Sequence, residues 1–78
     1  MTALEANKII GENIAKARMS AGHTQMSLAF ALHVCENTIN KWETGKNAVK
    51  APALCRSAKV LDTPVEKLLD DWEQEVDA

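Results

Sequence analysis

The sequence predicts an all-α fold, a compact bundle of five short helices forming a single domain. Three observations carry this reading. Seventy-eight residues suit one small domain. Apolar residues make up 46% and charged residues 26%, the balance of a packed chain and not of a disordered one. Only three Gly and two Pro interrupt the chain, Tyr is missing and Ala is abundant, which favours helices over strands.

The elements follow in order from their start and stop signals. Thr2-Ala3-Leu4-Glu5 has the form of a capping box, with a hydroxyl at the N-cap and a carboxylate three residues on. Ile9, Ile10, Ile14, Ala17 and Ala21 then recur at helical spacing, with Lys8, Glu12, Asn13 and Lys16 on the other face. Gly22 supplies a left-handed stop. Thr24 caps helix two, which turns Leu28, Ala29 and Leu32 inward. After a short break around His33, Cys35 occupies the cap position of helix three, which runs from about Glu36 to Thr44 and stops at Gly45. Lys46 to Ala51 reads as a polar loop.

Pro52 suits the first turn of helix four, where its missing N–H costs nothing. Leu54, Cys55, Ala58 and Leu61 form the apolar side of that helix. Thr63-Pro64-Val65-Glu66 opens helix five with a Thr cap, Pro at the first helical position and Glu two further on. The fifth helix spans about 64–77, with the stripe Val65, Leu68, Leu69, Trp72 and Val76. No repeat, low-complexity segment or long linker divides residues 1–78.

Composition also excludes functions. So short a chain argues against a deep catalytic cleft, and it carries neither a nucleophile-base-orienter set nor a Gly-rich phosphate loop. It is not expected to be an enzyme or to hold a cofactor. No apolar run approaches the ~20 residues of a membrane span, and the first residues do not resemble a signal peptide. Cys35 and Cys55 are too few for a disulfide scaffold and read as reduced thiols of a cytoplasmic protein. With His23 and His33 they match no standard zinc spacing, so no metal is expected. Cys35, near a helix N-terminus, is either an inert thiol or a redox-sensitive one.

The net charge of −2, taken as one number, argues against a nucleic-acid binder, but its distribution does not. Residues 1 to 61 carry eight bases against four acids, +4, and residues 62 to 78 carry one base against seven acids, −6. The basic part holds a helix-turn-helix pattern at about 24–45. In helix three, Ile39 and Trp42 are three apart and can be buried together. Glu36, Asn37, Asn40, Lys41 and Thr44 share the opposite face, which is entirely polar. Such groups suit base edges in a major groove: Asn for adenine, Glu for the cytosine amino group, Lys for guanine or phosphate. The competing reading is a merely solvated face. Lys8, Lys16, Lys46 and Lys50 are equally open to phosphate contact or to plain solubility.

The run Thr24-Gln25-Met26-Ser27-Leu28-Ala29, followed by Val34-Cys35-Glu36-Asn37-Thr38-Ile39-Asn40-Lys41-Trp42-Glu43-Thr44-Gly45-Lys46, resembles the lambda-repressor/Cro-type, or Xre, helix-turn-helix family. The resemblance extends from about Ile10 to Leu69. It implies a lambda-repressor-like five-helix domain that binds double-stranded operator DNA, usually as a symmetric homodimer. By the same resemblance, Glu36, Asn37, Asn40 and Lys41 fall on base-reading positions, and Gln25, Thr38, Lys46 and Asn47 on phosphate-contacting ones. Arg18 and Glu43 resemble a structural ion pair joining helix one to the end of helix three.

Departures from the family pattern are His33 and Asp62 where Gly is usual, Cys35 in place of a Ser, Thr or Asp cap, and Ala17 in place of a larger apolar residue. A left-handed His is costlier than Gly, and the lost cap is worth ~1 kcal/mol. Trp72 and Val76 extend past the usual domain end and are candidates for a dimer contact, the alternative being that Trp72 folds back on helix one. The function expected is a sequence-specific transcription regulator, a repressor occupying a palindromic operator. The alternative is an interaction module, such as an antitoxin-like partner that binds another protein through its acidic last helix.

Overall fold

The structure, a computed structural model, describes residues 2–70 and is all-helical over them. Helix α1 (Ala3–Ser20) starts where the Thr2 hydroxyl accepts the Glu5 N–H at 3.1 Å and the Glu5 carboxylate accepts the Thr2 N–H at 3.2 Å. That reciprocal pair satisfies two of the N–H groups a helix start leaves over. It also holds the Glu5 carboxyl below its ordinary value, first through the hydrogen bond from the Thr2 hydroxyl and then through the Thr2 N–H.

Helices α2 (Gln25–Leu32), α3 (Glu36–Glu43), α4 (Ala51–Val60) and α5 (Val65–Leu68) follow. Thr24 caps α2 by accepting the Ser27 N–H at 3.0 Å. Cys35 stands at the N-cap of α3 without a side-chain hydrogen bond, since a thiol is a poor acceptor.

Three helices end with the same pair of reversed backbone bonds. At α1, His23 N–H reaches Arg18 C=O and Gly22 N–H reaches Met19 C=O, both at 3.0 Å. At α2, Val34 N–H reaches Ala29 C=O at 3.0 Å, and at α4, Thr63 N–H reaches Ala58 C=O at 3.0 Å. This closure needs a left-handed residue just past the helix. Gly22 takes it at φ 78°, but His33 at φ 58° and Asp62 at φ 51° take it without being glycine.

Packing places α3 between α1 and α2, while α4 bridges α2 and α5, and α5 returns to α1. Ile14, Leu28, Ile39 and Leu68 are fully enclosed at the centre, with Ala29, Leu32, Trp42, Leu54, Ala58 and Leu61 around them. Gly11 fixes how closely α1 and α3 approach. A Cβ there would overlap the backbone carbonyl oxygens of Trp42 and Glu43, so only hydrogen fits.

Several expectations need correction. Cys55 and Ala21 are exposed and do not join the core. Cys55 follows Leu54, which takes the inward direction, and Ala21 lies beyond the last turn of α1. Asn13 is half-buried instead of solvated: its Nδ2 donates to Leu68 C=O at 3.1 Å and Asp70 C=O at 2.7 Å, tying the end of α5 to α1. The cap of α5 is Pro64 and not Thr63, because Pro64 is extended at ψ 144° and its carbonyl receives the Lys67 N–H at 3.0 Å. Leu69 and Asp70 form a turn after α5, and the rest of the expected 64–77 helix lies outside the described residues.

Candidate nucleic-acid interface

Helix α3 is divided sharply into two faces. Ile39 and Trp42 are 0% and 7% exposed and anchor the helix between α1 and α2. Glu36, Asn37, Asn40 and Thr44 are exposed and Lys41 is half-buried, all on the side away from those anchors. The Thr44 hydroxyl donates to Asn40 C=O at 2.9 Å, which commits it to the backbone. The two asparagine amides make no side-chain hydrogen bond within residues 2–70, so their donor and acceptor pairs are available to a partner. An eight-residue helix held by its apolar ridge, with a row of amides and charges outward, can enter a major groove.

The surroundings supply groups that suit phosphate. Lys46 and Asn47 are exposed in the turn after α3, whose shape is fixed by Gly45 at φ 78° and by Asn47 N–H bonding to Lys41 C=O at 3.2 Å. Gly45 is buried against Lys8, so a Cβ there would sit 2.6 Å from the Lys8 Cγ. Lys8 therefore belongs beside this turn, a neighbour that the sequence pattern did not reveal. Lys16 does not. It lines a groove with Asp62, Thr63 and Lys67, on the side of α1 opposite Gly11 and Arg18. Thr38, in the first turn of α3, is half-buried.

Gln25 opens α2 and is half-buried. Its Nε2 donates to Glu43 Oε1 at 3.0 Å. Glu43, the last residue of α3, also pairs with Arg18, with Arg18 Nε on Oε2 at 2.7 Å and Nη2 on Oε1 at 3.1 Å. The two side chains of this pair are only 13% and 7% exposed, and the carboxylate raises the Arg18 pKa further above its ordinary value. Arg18 Nη1 donates to His23 C=O at 2.9 Å, reaching the turn that leads into α2. Sequence reasoning missed the link from Gln25 to this pair, because residues 18 apart carry no common local signal. It also missed Gly11, although a glycine inside a helical pattern is itself a cue for close backbone approach.

Cys35 is an exposed free thiol at the head of α3, and Cys55 is exposed elsewhere. Among the described residues, no three His, Cys, Asp or Glu side chains are grouped to hold a metal, and no helix is long and apolar enough to cross a membrane. Trp72 and Val76 lie outside the described residues. The apolar side chains most exposed on α2 are instead Met26 and Phe30, at 64% and 84%, one turn apart.

Comparison with known proteins agrees with this geometry. The family model described as a helix-turn-helix domain matches residues 9–72, most of the chain. No relative is found among curated proteins. The fold is similar to the crystal structure of the restriction-modification controller protein C.AhdI from Aeromonas hydrophila, with a TM-score of 0.75. The two are 22% identical, over 80% of this chain and 94% of that one. The chain belongs to the helix-turn-helix domain family, and its fold is of the lambda-repressor/Cro type.

Proposed function

We propose that this protein is a sequence-specific DNA-binding regulator that represses transcription in the cytoplasm by occupying a palindromic operator. The observation that carries this reading is the division of α3, with Ile39 and Trp42 enclosed while Glu36, Asn37 and Asn40 stand in solvent. A helix so anchored presents its polar row without rearrangement. In the major groove, Asn37 and Asn40 can each bridge adenine N6 and N7, Glu36 can accept from cytosine N4, and Lys41 can donate to guanine. Around it Gln25, Thr38, Lys46 and Asn47 bind phosphate and set the register, carrying no sequence information themselves.

The similar structure is that of a restriction-modification controller protein, and a controlling role suits a domain that acts through occupancy of a site. Two copies related by a two-fold axis read half-sites about one helical turn, ~34 Å, apart. Trp72 and Val76 are the residues proposed for the dimer contact. The basic segment draws the protein to DNA, while the acidic end limits indiscriminate attraction.

Selection of bound duplexes from a random pool tests all of this at once. A symmetric motif with two half-sites supports the reading, together with binding that weakens steeply as salt rises. Recovery of unenriched DNA removes it and leaves the protein-interaction module as the better description.

A further inference from the structure

The Arg18–Glu43 pair by itself needs only the two oxygens of one carboxylate and the fork of one guanidinium. Oε1 of Glu43 nevertheless accepts a second donor, the Gln25 amide, at 3.0 Å. A carboxylate has no proton to give at neutral pH, so the Gln25 amide is fixed in sense, with Nε2 toward Glu43 and Oε1 away from it. The second N–H of that Nε2 is left over. It projects from the first residue of α2, where the backbone N–H groups of Gln25 and Met26 precede any intrahelical acceptor. Three donors are thus gathered at one helix start that carries the positive end of the helix dipole.

We infer that Glu43 is a positioning residue for DNA binding: anchored by Arg18, its carboxylate holds the Gln25 amide so that the remaining N–H faces a DNA phosphate. The inference rests on Gln25 as a phosphate contact. A glutamine free in water samples many rotamers, and ordering it during docking weakens binding by about fivefold. Here the amide is held before DNA arrives, because the holding carboxylate is 7% exposed and is itself fixed by two bonds from Arg18. Arg18 supplies the other requirement. A bare carboxylate so close to phosphate would repel it, whereas one paired at 2.7 Å presents little net charge. The same guanidinium binds His23 C=O at 2.9 Å, so the turn leading into α2 is placed by the group that places Gln25.

A double-mutant cycle tests this, with Gln25→Ala, Glu43→Leu (a side chain of similar size with no acceptor) and their combination measured against sonicated mixed-sequence duplex DNA at low salt. Melting temperatures are recorded for all four proteins. Gln25→Ala should weaken binding about tenfold when Glu43 is present and less than about twofold once Glu43 is replaced. The change in net charge from Glu43→Leu cancels in that comparison. A tenfold loss in both backgrounds overturns the inference and reduces Glu43 to a stabilising residue. No loss from Gln25→Ala in the parent background instead removes the phosphate contact on which it rests. Should Glu43→Leu fail to fold, Glu43→Asp serves in the same cycle, since it keeps the charge for Arg18 and shortens the reach to Gln25.

Discussion

His33 closes α2 in a left-handed conformation, and replacing it tests whether that position is strained. At φ 58° an L-residue costs roughly 1–2 kcal/mol that glycine does not. Glycine gives back roughly 0.5–1 kcal/mol through the greater freedom of its unfolded chain. The His33 side chain is exposed, so little packing is lost, and the closing bonds from His33 N–H to Phe30 C=O and Val34 N–H to Ala29 C=O are backbone only. His33→Gly should therefore gain about 0.5–1 kcal/mol, and raise the midpoint of thermal unfolding by about 4 °C in a domain of this size. Circular dichroism melts of the parent, His33→Gly and His33→Ala measure it. His33→Ala keeps the positive φ and should show no gain. Asp62→Gly at φ 51° should add a comparable gain independently, because the same left-handed geometry closes α4. If His33→Gly melts at or below the parent, the strain assigned to this turn does not exist.

Other perturbations act on different contacts. Gly11→Ala drives a methyl group into the carbonyls of Trp42 and Glu43, and should cost about 1–3 kcal/mol in chemical denaturation as α1 and α3 are forced apart. Glu43→Ala leaves the mostly enclosed Arg18 guanidinium unpaired and should cost about 3 kcal/mol, read from the same denaturation curves. Acid should loosen the start of α1. The Glu5 carboxyl is held below its ordinary value in the folded chain, so its contribution is present above the usual carboxylate range and is lost as pH falls through the folded value. Amide exchange in the first turn should accelerate there, and Thr2→Ala should weaken that dependence by removing the hydroxyl that is its larger cause, leaving the backbone N–H.

The parts of this fold that were legible are those set by local chemistry. Thr2 and Thr24 announce their helices because a hydroxyl needs only the N–H three residues on. The inward row Leu28, Ala29 and Leu32, and the pair Ile39 and Trp42, were readable because apolar spacing in a short helix admits one buried face. The all-helical fold and the family were therefore open to a reading of the sequence alone. Long-range partners were not. Nothing near Asn13 says that its amide will hold carbonyls 55 and 57 residues away. Cys55 is apolar enough for a core, yet Leu54 takes the inward direction and leaves it outside. In the interface, the outward face of α3 was visible in its polarity. The engagement of Gln25 by Glu43 depends on how α2 and α3 cross, which no local pattern encodes.

Base choice by α3 is measured most directly at Asn37. Asn37 is exposed in the first half of α3, and its amide makes no side-chain hydrogen bond within residues 2–70. Its removal should therefore disturb binding without disturbing the fold. The measurement compares parent and Asn37→Ala on the selected site and on versions substituted one base pair at a time. A loss of about 1–3 kcal/mol on the selected site is expected, with preference relaxed at one base pair per half-site and unchanged elsewhere. Equal affinity and equal discrimination in the two proteins would contradict it, and would mean that α3 is not the reading helix.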